Sequence, residues 1–192
     1  MKYLVPLALL AVFLLAVPLG SADVPSQYID YNQCVWKKGS AAEKVQCDDG
    51  WVGTGACGNK GQNQCDGKAF ALECCKMRNS TITGACHEKS GSKGKNIGCD
   101  GETVLFGTCG SLDMSRCNHN GDLKCITLNC CPTSLPVNYG SCGWKWAGSQ
   151  GQNLQCNRHA GSEQVLRGRC GSETMAACDG SKVHGIYCCD LA

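Results

Sequence analysis

The chain has 192 residues, with 18 Lys and Arg against 16 Asp and Glu, only 6% aromatic residues, and 19 cysteines. Near-neutral charge removes the electrostatic basis for binding nucleic acid or an anionic membrane. Cysteine at this density points to a disulfide scaffold in an oxidising compartment, not to a fold carried by a large apolar core.

Residues 1–22, MKYLVPLALLAVFLLAVPLGSA, show one basic residue, an apolar run and then small residues, with Gly20 and Ala22 at the positions a signal peptidase favours. They predict a secretory signal and a mature chain that begins at Asp23. A membrane anchor fits less well, because the apolar run is short and DVPSQ follows at once. Loss of Lys2 leaves 17 basic against 16 acidic residues in 23–192, and all 19 cysteines lie in this part. The expected location is extracellular.

After an N-terminal extension, 23–33, eighteen of the cysteines fall into three sets of six. Cys34, Cys47, Cys57, Cys65, Cys74 and Cys75 are separated by 12, 9, 7, 8 and 0 residues; Cys86, Cys99, Cys109, Cys117, Cys130 and Cys131 by 12, 9, 7, 12 and 0. Cys142, Cys156, Cys170, Cys178, Cys188 and Cys189 give 13, 13, 7, 9 and 0. The chain thus reads as three copies of one module: 34–75, 86–131, and 142–192 including a short tail.

Other positions repeat with the cysteines. Val52, Val104 and Val165 stand five before the third cysteine, Gly55, Gly107 and Gly168 two before it, and Gly58, Gly110 and Gly171 just after it. A valine followed by glycines around a cysteine predicts a short strand entering a tight turn. Val45, Ile97 and Leu154, two before the second cysteine, and Leu72, Leu128 and Ile186, two before the closing pair, are the expected core aliphatics. AFALECC, CITLNCC and VHGIYCC read as a last strand with one sulfur on each face. Because a bond between adjacent cysteines would be strained, each is expected to reach a different part of its module; the spacing leaves the connectivity open. The expected fold is small and disulfide-rich, each module made of short β-strands and turns with little helix.

KMRNSTITGA (76–85) and PTSLPVNYGS (132–141) read as linkers between three separate beads. The first holds the N-glycosylation sequon Asn79-Ser80-Thr81. Cys125 is additional to the frame and stands where the other copies have Ala69 and Val183. It is either a free thiol or the link of a disulfide-bonded homodimer.

No catalytic signature emerges. His87, His119, His159 and His184 share no equivalent position, and no Cys-x-Cys or Cys-x-x-Cys is present. The expectation is a non-enzyme without metal or cofactor. Trp36 and Trp144 follow the first cysteine by two in modules 1 and 3, where module 2 has Glu88. Packing of the indole on the surface, or stacking on a sugar, would use them.

The third and fourth cysteines of each set bracket a seven-residue loop: CGNKGQNQC, CGSLDMSRC and CGSETMAAC. A loop closed by a disulfide loses little entropy on docking, and a protease that accepts it cannot readily finish hydrolysis while the leaving strand stays tethered. Tandem six-cysteine units with a GxCG centre and a closing vicinal pair resemble, across residues 34–189, the small cysteine-rich serine protease inhibitors of bivalve molluscs. The resemblance implies an extracellular serine protease as partner, subtilisin-like enzymes foremost, and a role in innate immune defence. The chain departs from that pattern in its three modules, its odd cysteine and its longer linkers.

Candidate protease contacts follow from side-chain chemistry. Leu112, Met114 and Met175 in the loops are apolar side chains that a subtilisin-like pocket accepts, where module 1 has Gln62. In the turn before the third cysteine, Thr54, Phe106 and Arg167 differ in size and charge, and Arg167 and Arg169 suit a trypsin-like pocket. Neutral drift in exposed loops accounts for the same variation. The competing function is a cross-linked extracellular matrix, mucus, adhesive or shell component.

Overall fold

The computed structural model describes residues 26–40, 43–58, 65–91, 95–110, 117, 126–147, 151–159, 161–171, 178 and 184–192. The signal segment 1–22, the loop residues Leu112, Met114 and Met175, and Cys125 lie outside the described residues.

All regular structure among the described residues is β. In chain order the strands are β1 (Ile29–Gly39), β2 (Lys44–Gln46), β3 (Trp51–Gly58), β4 (Phe70–Met77), β5 (His87–Gly91) and β6 (Asn96–Gly98). There follow β7 (Thr103–Gly110), β8 (Ile126–Pro132), β9 (Val137–Ala147), β10 (Asn153–Gln155), β11 (Gln164–Gly171) and β12 (His184–Leu191). The valine-to-GxCG segments form β3, β7 and β11, and the segments ending in paired cysteines form β4, β8 and β12. The small disulfide-rich β fold read from the sequence is the fold found.

Nine disulfides close within the three cysteine sets, and each set pairs first to sixth, second to fifth and third to fourth. The adjacent cysteines do part company: Cys74 bonds Cys47, and Cys75 bonds Cys34. Such a nested framework is typical of extracellular proteins.

The sheets ignore the module boundaries. Three four-stranded sheets have the orders β1-β4-β3-β10, β5-β8-β7-β2 and β9-β12-β11-β6. Each module supplies three strands of its own sheet and sends its three-residue strand to another sheet. Module 1 gives β2 to module 2, module 2 gives β6 to module 3, and module 3 gives β10 back to module 1. The exchange closes in a ring.

A β-bulge makes each crossing fit. The pairing of β3 with β4 skips Thr54, that of β7 with β8 skips Phe106, and that of β11 with β12 skips Arg167. The bulged carbonyls point to the incoming strands: Phe106 O accepts from Cys47 N at 2.9 Å, Arg167 O from Cys99 N at 2.9 Å, and Thr54 O from Cys156 N at 2.8 Å. The next residue is the repeated glycine. A Cβ on Gly55 would lie 2.6 Å from Leu154 O, and one on Gly107 would lie 3.0 Å from Val45 O. Close approach of a neighbour's backbone explains this glycine better than a turn does.

The expectation of separate beads is corrected by this packing. Val45, Ile97 and Leu154 of the exchanged strands share one apolar cluster with Leu72, Leu128 and Ile186 from all three modules. A second cluster joins Val52, Val104 and Val165, each fully buried, with Ile29, Met77, Leu135 and Leu191. Core residues from every module cover one another, so no module buries its apolar face alone. The segments read as linkers are largely structural: β4 runs on to Met77, Ile82 bridges Thr133, and β9 starts at Val137, five residues before Cys142. Within the N-terminal extension, residues 27–29 are tied to module 3, where Glu163 accepts backbone N–H bonds from Gln27 at 2.9 Å and from Tyr28 and Ile29 at 3.3 Å.

Candidate binding surface at the loop end

Strands β3, β7 and β11 run from the valine cluster to the three stapled loops, so the loops are rooted at the opposite end from residues 27–29 and Leu191. Arg169, just before Cys170, marks where the roots meet. Its Nη2 donates to Cys57 O at 3.3 Å and its Nη1 to Thr108 Oγ1 at 3.0 Å, with the guanidinium 5.8 Å from the centre of the Phe70 ring. A single side chain of β11 thus touches the ends of β3 and β7. Ala56, Thr108 and Arg169 occupy the same place in the three repeats, and small partners leave room for one guanidinium.

Arg169 is 2% exposed and bonds a carbonyl and a hydroxyl in place of a carboxylate. Desolvation lowers its pKa to about 10, which keeps it charged at neutral pH. Beside it, His184 is buried, and its Nε2–H donates to Gln152 O at 2.8 Å. Burial first, and the Arg169 charge second, push its pKa down to about 4 against a weaker opposing effect of the carbonyl. His184 is therefore neutral, which spares the loop end a second buried charge.

The roots are rigid. Cys57–Cys65, Cys109–Cys117 and Cys170–Cys178 each span 8 positions, and all six cysteines are buried to within 2%. Thr127 Oγ1 donates to Cys117 O at 2.8 Å, and Cys65 pairs with Lys68 through backbone bonds of 3.0 and 3.2 Å. Asp66 and Gly67, at φ 50° and 82°, turn the chain between them. The anchors are fixed whatever the loops hold.

The candidate contacts do not share one surface. Leu112, Met114 and Met175 fall in loop interiors outside the described residues. Phe106 is 6% exposed within the main cluster, and Arg169 is buried, so neither side chain is free to enter a protease pocket. Arg167 is half-buried and engaged. Its Nε donates to Thr103 O at 3.3 Å, its Nη2 to Gly101 O, and its guanidinium lies 4.6 Å from the Tyr139 ring centre. Phe106, Arg167 and Arg169, read from the sequence as candidate protease contacts at a turn, instead lie within β7 and β11 and tie modules together. Bulge side chains vary because the bulge carbonyl, which any residue supplies, makes the crossing.

Other polar positions have structural work. Glu73 is buried, accepts from Thr54 Oγ1 at 2.9 Å and Gln155 Nε2 at 2.7 Å, and pairs with Arg158 of module 3. Cys34, Glu73 and Cys75 lie within metal-ligating distance of one another, but the two sulfurs are joined as a disulfide and offer no thiolate. Asn79, at φ 52°, is exposed in its turn. Glu73 and Arg169 could not be read as buried charges from the repeat, because each is found in one module only, and Glu163 shares its place with Glu102, which is exposed.

The chain matches no protein-family model, and comparison with curated proteins finds no significant relative.

Proposed function

We propose that the protein is a secreted inhibitor of serine proteases, subtilisin-like enzymes foremost, that serves in host defence through its loop end. The observation that carries the reading is the convergence of three disulfide-closed loops on one rigid base. A base held by buried disulfides and a shared guanidinium limits the entropy lost on docking, and loops of different content on one frame give one protein a composite contact surface. The architectural resemblance to the bivalve inhibitors supports the same reading. Leu112, Met114 and Met175 are the side chains assigned to the protease pocket, and Asn79 is assigned as a glycan acceptor facing the solvent.

The shared base sets a stoichiometry. A protease is far larger than the span of one arginine side chain, so the three loops cannot each hold one at once. Titration of oxidised 23–192 against subtilisin, chymotrypsin, trypsin and elastase is expected to abolish activity of at least one of them at one enzyme per chain. Saturation at three enzymes per chain would contradict the shared surface. Inhibition of none of the four would shift the assignment to the cross-linked extracellular structural protein, in which disulfide-linked oligomers through Cys125 are the expected product.

A further inference from the structure

The threefold frame supplies its own internal comparison. On the outer face of each sheet, the residues two and four after the first cysteine lie across from two positions of the closing strand. These pairs are Trp36 with Glu73 and Lys38 with Ala71 in the first sheet, Glu88 with Asn129 and Ser90 with Thr127 in the second, and Trp144 with Tyr187 and Trp146 with Gly185 in the third.

The third face covers itself. Trp144 stacks on Trp146 at 5.0 Å between ring centres and on Tyr187 at 5.1 Å, and the Trp146 ring lies so close over Gly185 that a Cβ there would collide. The second face is bridged by Lys44 and Glu88 at 2.6 Å and retains a cleft of only about 50 Å³. Among the described residues the first face is open. Trp36, Lys38, Cys65, Asp66, Ala71 and Asn153 line a groove of about 230 Å³. Three distant pieces of chain build it: β1, the turn that follows the loop disulfide, and β10 brought in by the strand exchange.

The lining selects the ligand chemistry. The Trp36 indole, the Ala71 methyl and the buried Cys57–Cys65 disulfide, which pack together, form an apolar wall. Around it stand an ammonium, a carboxylate and an amide, which between them donate to and accept from hydroxyl groups. Lys38 pairs with Asp66 and holds its carboxyl below the usual range, so the charges cancel and favour a neutral ligand. One indole without a second ring is no cage for a quaternary cation. The volume falls below the ~300 Å³ at which drug-sized pockets begin. An apolar C–H face, a rim of hydroxyls, zero charge and small size are the properties of a sugar ring. We propose that this groove binds one neutral pyranose residue of a glycan, with Trp36 packed on its C–H face and Asp66, Lys38 and Asn153 bonded to its hydroxyls.

Nitrogen-correlated NMR of oxidised 23–192, with N-acetylglucosamine, mannose and galactose added separately to roughly 100 mM, tests this at the millimolar affinity expected of a single sugar. At least one sugar should move the indole N–H of Trp36 along a saturable curve while those of Trp144 and Trp146 stay fixed. Trp36→Ala should abolish the saturable shifts of the surrounding amides. Asp66→Asn, at an exposed turn position that leaves the core intact, should weaken binding by about fivefold or more. No saturable shift with any of the three sugars, or full binding by the Asp66→Asn protein, would overturn the assignment. The groove shares the Cys57–Cys65 root with the loop end but none of the side chains assigned to the protease pocket, so protease titration and sugar titration can fail separately.

Discussion

A buried histidine beside a buried arginine makes the loop end sensitive to acid. His184 has a folded pKa of about 4, against roughly 6.5 when the chain is unfolded. Between those values the unfolded chain takes up a proton that the folded chain refuses. The contribution of His184 is therefore complete above pH 6.5 and is lost as pH falls towards 4, with a slope approaching ~1.4 kcal/mol per pH unit. Unfolding midpoints in guanidinium measured from pH 7 to pH 4 should fall for the parent and fall less steeply for His184→Gln, where no such proton uptake occurs. Equal slopes would show that His184 titrates alike in both states. Arg169 makes no comparable contribution in this range, since a pKa of about 10 leaves it charged in both states.

At the level of elements, the strand exchange depends on a bulge and a glycine more than on any side chain that crosses. Thr54, Phe106 and Arg167 share a place and have nothing in common chemically, yet their carbonyls make equivalent bonds. The glycine that follows has no such freedom. Gly55→Ala would set a methyl 2.6 Å from Leu154 O, a backbone atom that moves only if β10 moves. An overpacking penalty of about 1–3 kcal/mol is expected from guanidinium unfolding. Gly143→Ala, at an exposed position of β9 with nothing within 4 Å of the added methyl, should change stability by no more than ~0.5 kcal/mol. Equal effects of the two substitutions would remove close approach as the reason for the glycine. Val45, Ile97 and Leu154 add the apolar part of the same joint: each is 9% exposed or less, and each is buried by a module other than its own.

For the whole molecule, a ring of exchanged strands around a common core predicts one unfolding event. With disulfides intact, calorimetry of 23–192 should give a single transition whose van't Hoff and calorimetric enthalpies agree; three resolvable transitions would restore the separate beads. Much of the architecture was legible in residue order. Cysteine spacing disclosed the threefold repeat, Val52, Val104 and Val165 announced strands, and Leu72, Leu128 and Ile186 were read as core and are fully buried. The parting of Cys74 from Cys75 followed from the geometry of adjacent residues. These features are local, set by period-two alternation and by what a few bonded neighbours can reach. The ring was not legible, because three repeats of one frame present similar backbone edges to each three-residue strand, and local pattern carries no preference between its own sheet and the next. Only long-range packing separates those choices, through burial of the crossing aliphatics and satisfaction of the bulge carbonyls. The same packing placed Phe106 and Arg169 inside, gathered the three loop roots at one end, and left one sheet face open beside Trp36. The sequence by itself determined a stapled, threefold β scaffold; the tertiary structure decided which surfaces that scaffold has to offer, since a surface exists only once distant strands have chosen their neighbours.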